Sequence, residues 1–200
     1  MTASYLHTLF GDEARRLQEQ AGSRSAYARM EAGRAPGGDR LGAREIQFLR
    51  VRDSFYMASV TADGWPYLQH RGGAPGFLKI LGPDRIGFAD YPGNRQYISL
   101  GNLATSDKVS LFFMDYPERR RLKLIGHART TAMPDGFADA GAPEERFITI
   151  DVVGYDWNCP KYITPRFTAA EVREVIEDLQ QEAAVLRAEN QRLRDALASR

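Results

Sequence analysis

Polar and cationic side chains recur on segments whose composition is typical of β-strands. Gln69 and Arg71 are two residues apart, which places them on the same face of one strand. Arginine offers permanently charged, bidentate donors that suit a phosphate dianion. The candidate anion-binding residues are Gln69, Arg71, Asn94, Arg95, Gln96, Ser99, Arg121 and Lys123. Taken singly, each of these side chains is more often a solvated surface group, and spacing alone does not show that they converge.

The composition excludes several other classes of function. The 200 residues include 27 Lys and Arg against 26 Asp and Glu, so no strong net charge attracts nucleic acid. The chain has no hydrolase elbow, Walker loop, zincin motif or dinucleotide glycine fingerprint. Its three histidines are too scattered for a metal site, and no neighbouring histidine or second cysteine activates Cys159. We therefore expect no nucleic-acid partner and no metal.

The sequence also carries no pattern typical of membrane insertion or export. No apolar run approaches the roughly 20 residues of a membrane span. The first residues lack a charged segment followed by an apolar stretch, as a signal peptide would have. We expect a cytoplasmic protein without a membrane partner.

Three zones follow one another along the chain. Residues 1–52 are rich in helix formers and predict a helical segment packed on the next zone. Residues 53–167 predict short strands, with Asp63 and Gly64 as a hairpin turn and a short helix near residues 96–103. The strand-like runs are 55–61, 65–71, 77–81, 85–89, 109–114, 121–131 and 147–154. Because no regular helical crossover separates them, they favour an antiparallel β-barrel.

The third zone, residues 168–200, predicts one long helix. Thr168 and Glu171 have the spacing of a capping box at its start. The helix then carries a heptad repeat, and Asn190 is the one polar residue on the apolar stripe. The a positions are Ile176, Ala183, Asn190 and Leu197, and the d positions are Val172, Leu179, Leu186 and Leu193. The repeat favours a parallel two-stranded coiled coil; the alternative is an amphipathic helix docked on the barrel.

The sequence resembles the pyridoxamine 5′-phosphate oxidase family in several ordered motifs. The segments 88–97 and 120–126 are similar to the family as a whole. The segments 64–73 and 156–160 resemble its bacterial oxidase-related, FMN-binding branch. This resemblance implies a mainly β fold with flanking helices, in which an antiparallel split β-barrel binds FMN. It also implies a homodimer with one FMN in each of two clefts at the subunit interface.

The resemblance further implies roles for individual residues. Arg95 matches an FMN-phosphate arginine of the oxidases, whereas Gln96 replaces the lysine that follows it there. Gln69 stands where the oxidases have another phosphate arginine, for which Arg71 on the same face is a substitute. Trp157 would form a cleft wall beside the flavin. The C-terminal Trp-Arg segment that grips vitamin B6 in the oxidases is replaced by the heptad helix, so pyridoxamine phosphate oxidation itself is not expected.

The best prediction is a homodimeric FMN-binding oxidoreductase with a small-molecule redox substrate. No residue is identified as a catalytic acid or base. One alternative is a non-catalytic flavin carrier or sensor whose coiled coil binds a partner. Another is haem or a different planar ligand on the same scaffold, for which His70 and His127 are the mid-chain histidines.

Overall fold

The computed structural model describes residues 4–34, 39–91, 95–134, 146–157 and 160–199. Within this part of the chain there are six α-helices and seven β-strands. The helices are α1 Tyr5–Leu9, α2 Asp12–Gln20, α3 Arg24–Ala32, α4 Ala43–Arg50, α5 Ile98–Thr105 and α6 Ala169–Ala198. The strands are β1 Ser54–Val60, β2 Pro66–Gly72, β3 Lys79–Gly82, β4 Arg85–Asp90, β5 Lys108–Asp115, β6 Arg120–Thr131 and β7 Arg146–Trp157.

All seven strands form one antiparallel sheet in the order β2-β1-β5-β6-β7-β4-β3. Each predicted strand run lies within or overlaps one of these strands. The turn at Gly64, with a φ of +84° and a hydrogen bond from its amide to the Thr61 carbonyl of 2.9 Å, joins β1 to β2. Glycine suits this turn because the left-handed region costs it nothing. The predicted hairpin is confirmed.

The sheet curls until its distant strands meet through side chains. Phe55 on β1 packs edge-on against Phe88 on β4, with ring centroids 5.2 Å apart. Arg71 on β2 donates to Asp90 on β4 at 2.7 Å, although four other strands separate β2 from β4 in the sheet order. Side chains rather than a backbone ladder close the barrel here, which defines a split β-barrel. The predicted fold class is confirmed.

A β-bulge interrupts the pairing of β6 with β7 at Ile125 and Gly126. A Cβ atom on Gly126 would lie 2.5 Å from the Asp151 carbonyl oxygen and 2.8 Å from Ile150 Cγ2. Since Cβ contacts this short are not tolerated, only glycine fits between the two longest strands at this point.

The first helix packs on the outer face of the sheet. Tyr5 and Leu6 form a small buried cluster with Ile125 of β6. The Asp39 carboxylate accepts hydrogen bonds from the Tyr5 and Tyr155 amides, at 3.1 and 3.2 Å, and from Arg34 Nη1 at 2.6 Å. One carboxylate thus connects the N-terminal helical segment to β7.

Helices α2 and α3 are joined by the carboxylate of Glu31, which is only 6% exposed. It accepts hydrogen bonds from Arg24 and, at 3.1 Å, from Arg15. The hydrogen bond from Arg24, together with the charges of both arginines, outweighs burial and lowers the pKa of Glu31 below its ordinary value.

Because of this lowered pKa, the stability of the N-terminal helices depends on pH in the acidic range. Because the folded pKa lies below the unfolded one, the stabilisation is complete above about pH 4.5 and is lost as the pH falls through the folded value. We expect Glu31→Gln to lower stability at pH 7 and to flatten the loss of stability as the pH falls below about 4.5. Urea unfolding over this pH range measures the effect. The control is Glu13→Gln in the exposed Glu13–Arg16 pair, for which an equal effect would contradict the prediction.

The fold contains two compact units. One comprises Met1–Asp115 and Arg120–Lys161, and the other comprises Tyr116–Arg119 and Tyr162–Arg200. In the second unit, the Thr168 hydroxyl accepts from the Glu171 amide at 3.2 Å while the Glu171 carboxylate accepts from the Thr168 amide at 2.7 Å. This reciprocal pair is the predicted capping box. No residue of α6 is buried.

Candidate functional site

A small polar pocket lies among β2, the end of β4 and the start of α5. Its volume is about 60 Å³, which accommodates a phosphate-sized group but not a fused ring system. The lining residues are Tyr67, Gln69, Arg71, Asp90, Tyr91, Arg95, Gln96, Tyr97, Ile98, Ser99, Leu100 and Arg146. The structure therefore brings together five of the predicted site residues: Gln69, Arg71, Arg95, Gln96 and Ser99.

Asp90 holds two arginines at the base of this pocket. Its Oδ1 atom accepts a hydrogen bond from Arg71 Nη1 at 2.7 Å, and its Oδ2 atom lies 3.5 Å from Arg146 Nε. The side chains of Arg71 and Asp90 are only 14% and 9% exposed. With Arg95 included, three arginines and one aspartate line the pocket, which gives it two net positive charges. A phosphate monoester carries a negative charge of similar size at neutral pH.

Arg71 also has an unused donor. Its Nε atom is buried and has no hydrogen-bond partner within the described part of the chain. A buried guanidinium N–H without an acceptor is costly, so native proteins supply one from the chain, water or a ligand. The Arg71 guanidinium carbon lies 5.6 Å from the centroid of the Phe88 ring, within the range of a cation–π contact. Arg71 thus lines the pocket with a guanidinium that Asp90 holds in place.

The chain before α5 forms the opposite wall in an unusual backbone conformation. Arg95 and Tyr97 have φ values of +58° and +53°, and both side chains are exposed. Left-handed residues other than glycine cost about 1–2 kcal/mol each and occur where a fold needs them, often at ligand sites. Ser99, in the first turn of α5, donates to Gln69 Oε1 at 2.7 Å and so ties this wall to β2.

Three predicted site residues, Arg121, Lys123 and Trp157, lie outside the pocket. Lys123 forms an ion pair with Asp156 at 3.3 Å and lies over the Tyr5 ring, 5.1 Å from its centroid. Arg121 shares that face of β6 by its spacing, and its Nε atom is buried without a hydrogen-bond partner in the described residues. Asn94, the remaining predicted residue apart from Trp157, lies outside the described residues.

Trp157 is held by α4 rather than by the pocket. Its indole N–H donates to Glu45 Oε1 at 2.7 Å, and its ring packs edge-on against Phe48 with centroids 4.8 Å apart. Arg44 lies 4.2 Å from the ring centroid on the same helix. Burial, together with the negative charges of Glu45 and Asp39, raises the pKa of the neighbouring Tyr155. This cluster fixes the end of β7 against α4.

Sequence reasoning missed Asp90 and Arg146, which complete the charged centre. Asp90 ends β4 two residues after the buried Phe88, so period-two alternation places both on the same, inward face. Its burial was therefore detectable, but its partners were not, because Arg146 begins a strand that is distant in sequence.

The mid-chain histidines serve other contacts. His70 packs edge-on against Tyr56, with centroids 5.6 Å apart, and His127 Nδ1 lies 3.0 Å from Asp107. Among the described residues, no group of three or more His, Cys, Asp or Glu side chains is placed to hold a metal ion. Within the described ranges, no helix combines the length and the apolar character needed to cross a membrane. Cys159 lies outside the described residues.

The fold and the pocket define a split-barrel protein with a candidate anion-binding site. Residues 44–155, more than half of the chain, match the family model described as pyridoxamine 5′-phosphate oxidase. The chain therefore belongs to the pyridoxamine 5′-phosphate oxidase family, and the resemblance noted in its motifs is confirmed.

Solved structures with related folds share little sequence with this chain. An FMN-binding protein from Syntrophomonas wolfei is 13% identical, with a TM-score of 0.43, and the match covers 70% of this chain and 97% of that one. HupZ from Group A Streptococcus is 14% identical, with a TM-score of 0.45 and coverage of 56% and 90%. A protein related to general stress protein 26, of the pyridoxinephosphate oxidase family, from Clostridium acetobutylicum is 12% identical, with a TM-score of 0.42 and coverage of 64% and 94%. No curated protein sequence matches the chain.

Proposed function

We propose that this protein binds FMN and acts as an oxidoreductase on a small-molecule substrate. The observation that carries the proposal is the half-buried Arg71, which Asp90 holds in a pocket lined by three arginines and one aspartate, with two net positive charges. A terminal phosphate supplies the negative charge that this pocket lacks. Family membership adds the FMN assignment, since the phosphate of that cofactor is the group the resemblance places here.

The charged and the neutral polar residues of the pocket would bind different parts of FMN. Arg71 and Arg95 hold the phosphate through charge-assisted hydrogen bonds, and Asp90 keeps the Arg71 guanidinium in place. Gln69, Gln96 and Ser99 offer neutral donors and acceptors that suit the hydroxyl groups of a ribityl chain. When bound, FMN supplies one- and two-electron redox chemistry, which no side chain of this pocket provides.

The flavin ring would lie outside the pocket, because a cavity of about 60 Å³ is too small for a fused ring system. We propose that the ring lies at the interface of a homodimer, as the resemblance implies. Arg121, Lys123 and Trp157, which lie outside the pocket of their own chain, would then contribute from the second subunit. This arrangement would give a role to the three predicted site residues that lie away from the pocket in a single chain.

The visible absorption spectrum tests the proposal directly. We expect the purified protein, or the apoprotein after addition of micromolar FMN, to show a flavin spectrum with one FMN per chain. Anaerobic NADH or NADPH should bleach it, and air should restore it. A protein that stays colourless and does not bind added FMN contradicts the proposal. Binding without bleaching by either donor would instead favour the flavin carrier or sensor, and a Soret band would favour haem.

A further inference from the structure

Helix α6 presents an apolar stripe that its own chain does not bury. We call this stripe the α6 seam. It consists of Val172, Ile176, Leu179, Ala183, Leu186, Asn190, Leu193 and Leu197. The leucines at 179, 186 and 193 are 58%, 56% and 60% exposed. Large aliphatic side chains repeated at heptad spacing along one helix indicate a surface that another helix covers.

The length of α6 favours a partner of similar length. Thirty residues at 1.5 Å per residue form a rod of about 45 Å. Helices in water owe most of their stability to burying an apolar face, and the capping box at Thr168 secures only the first turn. The occupant of the α6 seam therefore has to be a surface of similar length and matching periodicity, which a second copy of α6 provides.

The charges beside the seam determine the orientation of such a pair. Glu182 and Glu189 occupy g positions, and Arg187 and Arg194 occupy e positions. In a parallel pair each g residue faces the e residue five positions further along the other chain, so glutamate meets arginine. In an antiparallel pair g faces g and e faces e, so glutamate meets glutamate and arginine meets arginine. Charge complementarity thus favours the parallel arrangement.

Asn190 points to the same arrangement. It occupies an a position, and in a parallel pair a positions face a positions, so the two Asn190 amides can hydrogen-bond to each other. In an antiparallel pair a faces d, and the amide would be buried against leucine without a partner, at a cost of about 1–3 kcal/mol. Any shift of register between parallel helices incurs the same penalty.

We propose that α6 forms a parallel two-stranded coiled coil with the α6 helix of a second copy of this chain. Residues 182–194 carry the features that set orientation and register. The first half of the seam does not set orientation or register but adds apolar surface that pairing would bury, because Val175 widens the apolar stripe there. This assignment is independent of FMN binding and concerns the other compact unit of the chain.

Disulfide cross-linking of the full-length protein tests this proposal. Cys159 is first replaced by serine, and a single cysteine is then introduced by Leu197→Cys at an a position or by Ala184→Cys at a b position. In a parallel pair the two cysteines at 197 face each other, whereas in an antiparallel pair they lie at opposite ends of the rod. We expect mild oxidation to give a covalent dimer with Leu197→Cys and none with the Ala184→Cys control. Monomer alone from Leu197→Cys, or equal cross-linking of the two variants, overturns the proposal.

Charge reversal separates specific pairing from chance collisions. One Leu197→Cys chain carries Glu182→Arg and Glu189→Arg, and the other carries Arg187→Glu and Arg194→Glu. Each chain alone should cross-link at least tenfold less than the parent, because like charges face each other. Mixing the two should restore cross-linking through mixed dimers. If each reversed chain cross-links as well as the parent, the charges do not set the pairing and the proposal is wrong. Near-UV circular dichroism, which reports the packed aromatic side chains of the barrel core, verifies that the barrel of each variant is folded.

Discussion

Replacing Arg71 with alanine should weaken FMN binding by about ten- to a hundredfold and leave riboflavin binding nearly unchanged. A hydrogen bond to a charged group contributes about 1.5–3 kcal/mol, and 1.4 kcal/mol corresponds to a factor of ten in Kd. Riboflavin lacks the phosphate, so it does not use this arginine. The substitution also removes the hydrogen bond of 2.7 Å from Arg71 to the buried Asp90 carboxylate. The negative charge of Asp90 is then less well neutralised and repels the phosphate. Quenching of flavin fluorescence measures both affinities.

Two other arginines serve as comparisons for this prediction. Arg95→Ala should also weaken FMN selectively, but by less, because Arg95 is exposed and its hydrogen bonds compete with water. Arg40→Ala is the matched control, since Arg40 is 70% exposed, lies outside the pocket and pairs only loosely with Asp84 at 3.6 Å. If Arg71→Ala weakens FMN and riboflavin equally, Arg71 stabilises the barrel rather than a phosphate, and the assignment of the pocket fails.

Gly126→Ala should destabilise the barrel by about 2–3 kcal/mol or more. The new Cβ atom would lie 2.5 Å from the Asp151 carbonyl oxygen, in the middle of the β6–β7 pairing. Overpacking of a closely packed interior costs about 1–3 kcal/mol, and a backbone carbonyl cannot move away as a flexible side chain does. Denaturant unfolding of the apoprotein should show a lower midpoint with an unchanged slope.

Gly101→Ala gives a matched substitution with the opposite sign. Gly101 lies inside α5, and a Cβ atom there meets no atom within 4 Å. Glycine inside a helix costs about 0.5–1 kcal/mol relative to alanine, so this variant should be more stable than the parent by that amount. A Gly126→Ala protein with the midpoint of the parent would show that β6 and β7 can separate at the bulge without penalty.

The strands and caps could be predicted because their signals are local. Aromatic and β-branched residues mark β1, the Asp63–Gly64 turn marks its hairpin, and Thr168 with Glu171 marks the start of α6. Each of these signals is complete within a few residues of sequence. The five-residue helix α1 has no comparable signal, because its position depends on packing against Ile125 of a distant strand.

The charged centre of the pocket could be predicted only in part. The spacing of Gln69 and Arg71 correctly placed them on one face, and both line the pocket. The same rule placed Arg121 and Lys123 together, but it does not say which face of the sheet they share. Lys123 pairs with Asp156, a contact that depends on how β6 pairs with β7. The alternation of side chains along a strand therefore identifies residues that share a face. Whether residues of different strands meet in one site depends on the curvature of the whole sheet.

Strand β2 lies at an edge of the sheet, and its residues alternate between exposed and half-buried without any that is buried. A single hydrogen-bonded ladder, to β1, therefore holds the strand that carries Gln69 and Arg71. Backbone segments with one ladder and little apolar burial open at low free-energy cost, so β2 amides should exchange with deuterium faster than those of the central strands. An anion that bridges Arg71 to the start of α5 would add its own binding free energy to the closed state of β2. Occupancy of the pocket and protection of this strand from exchange are then two measures of one equilibrium.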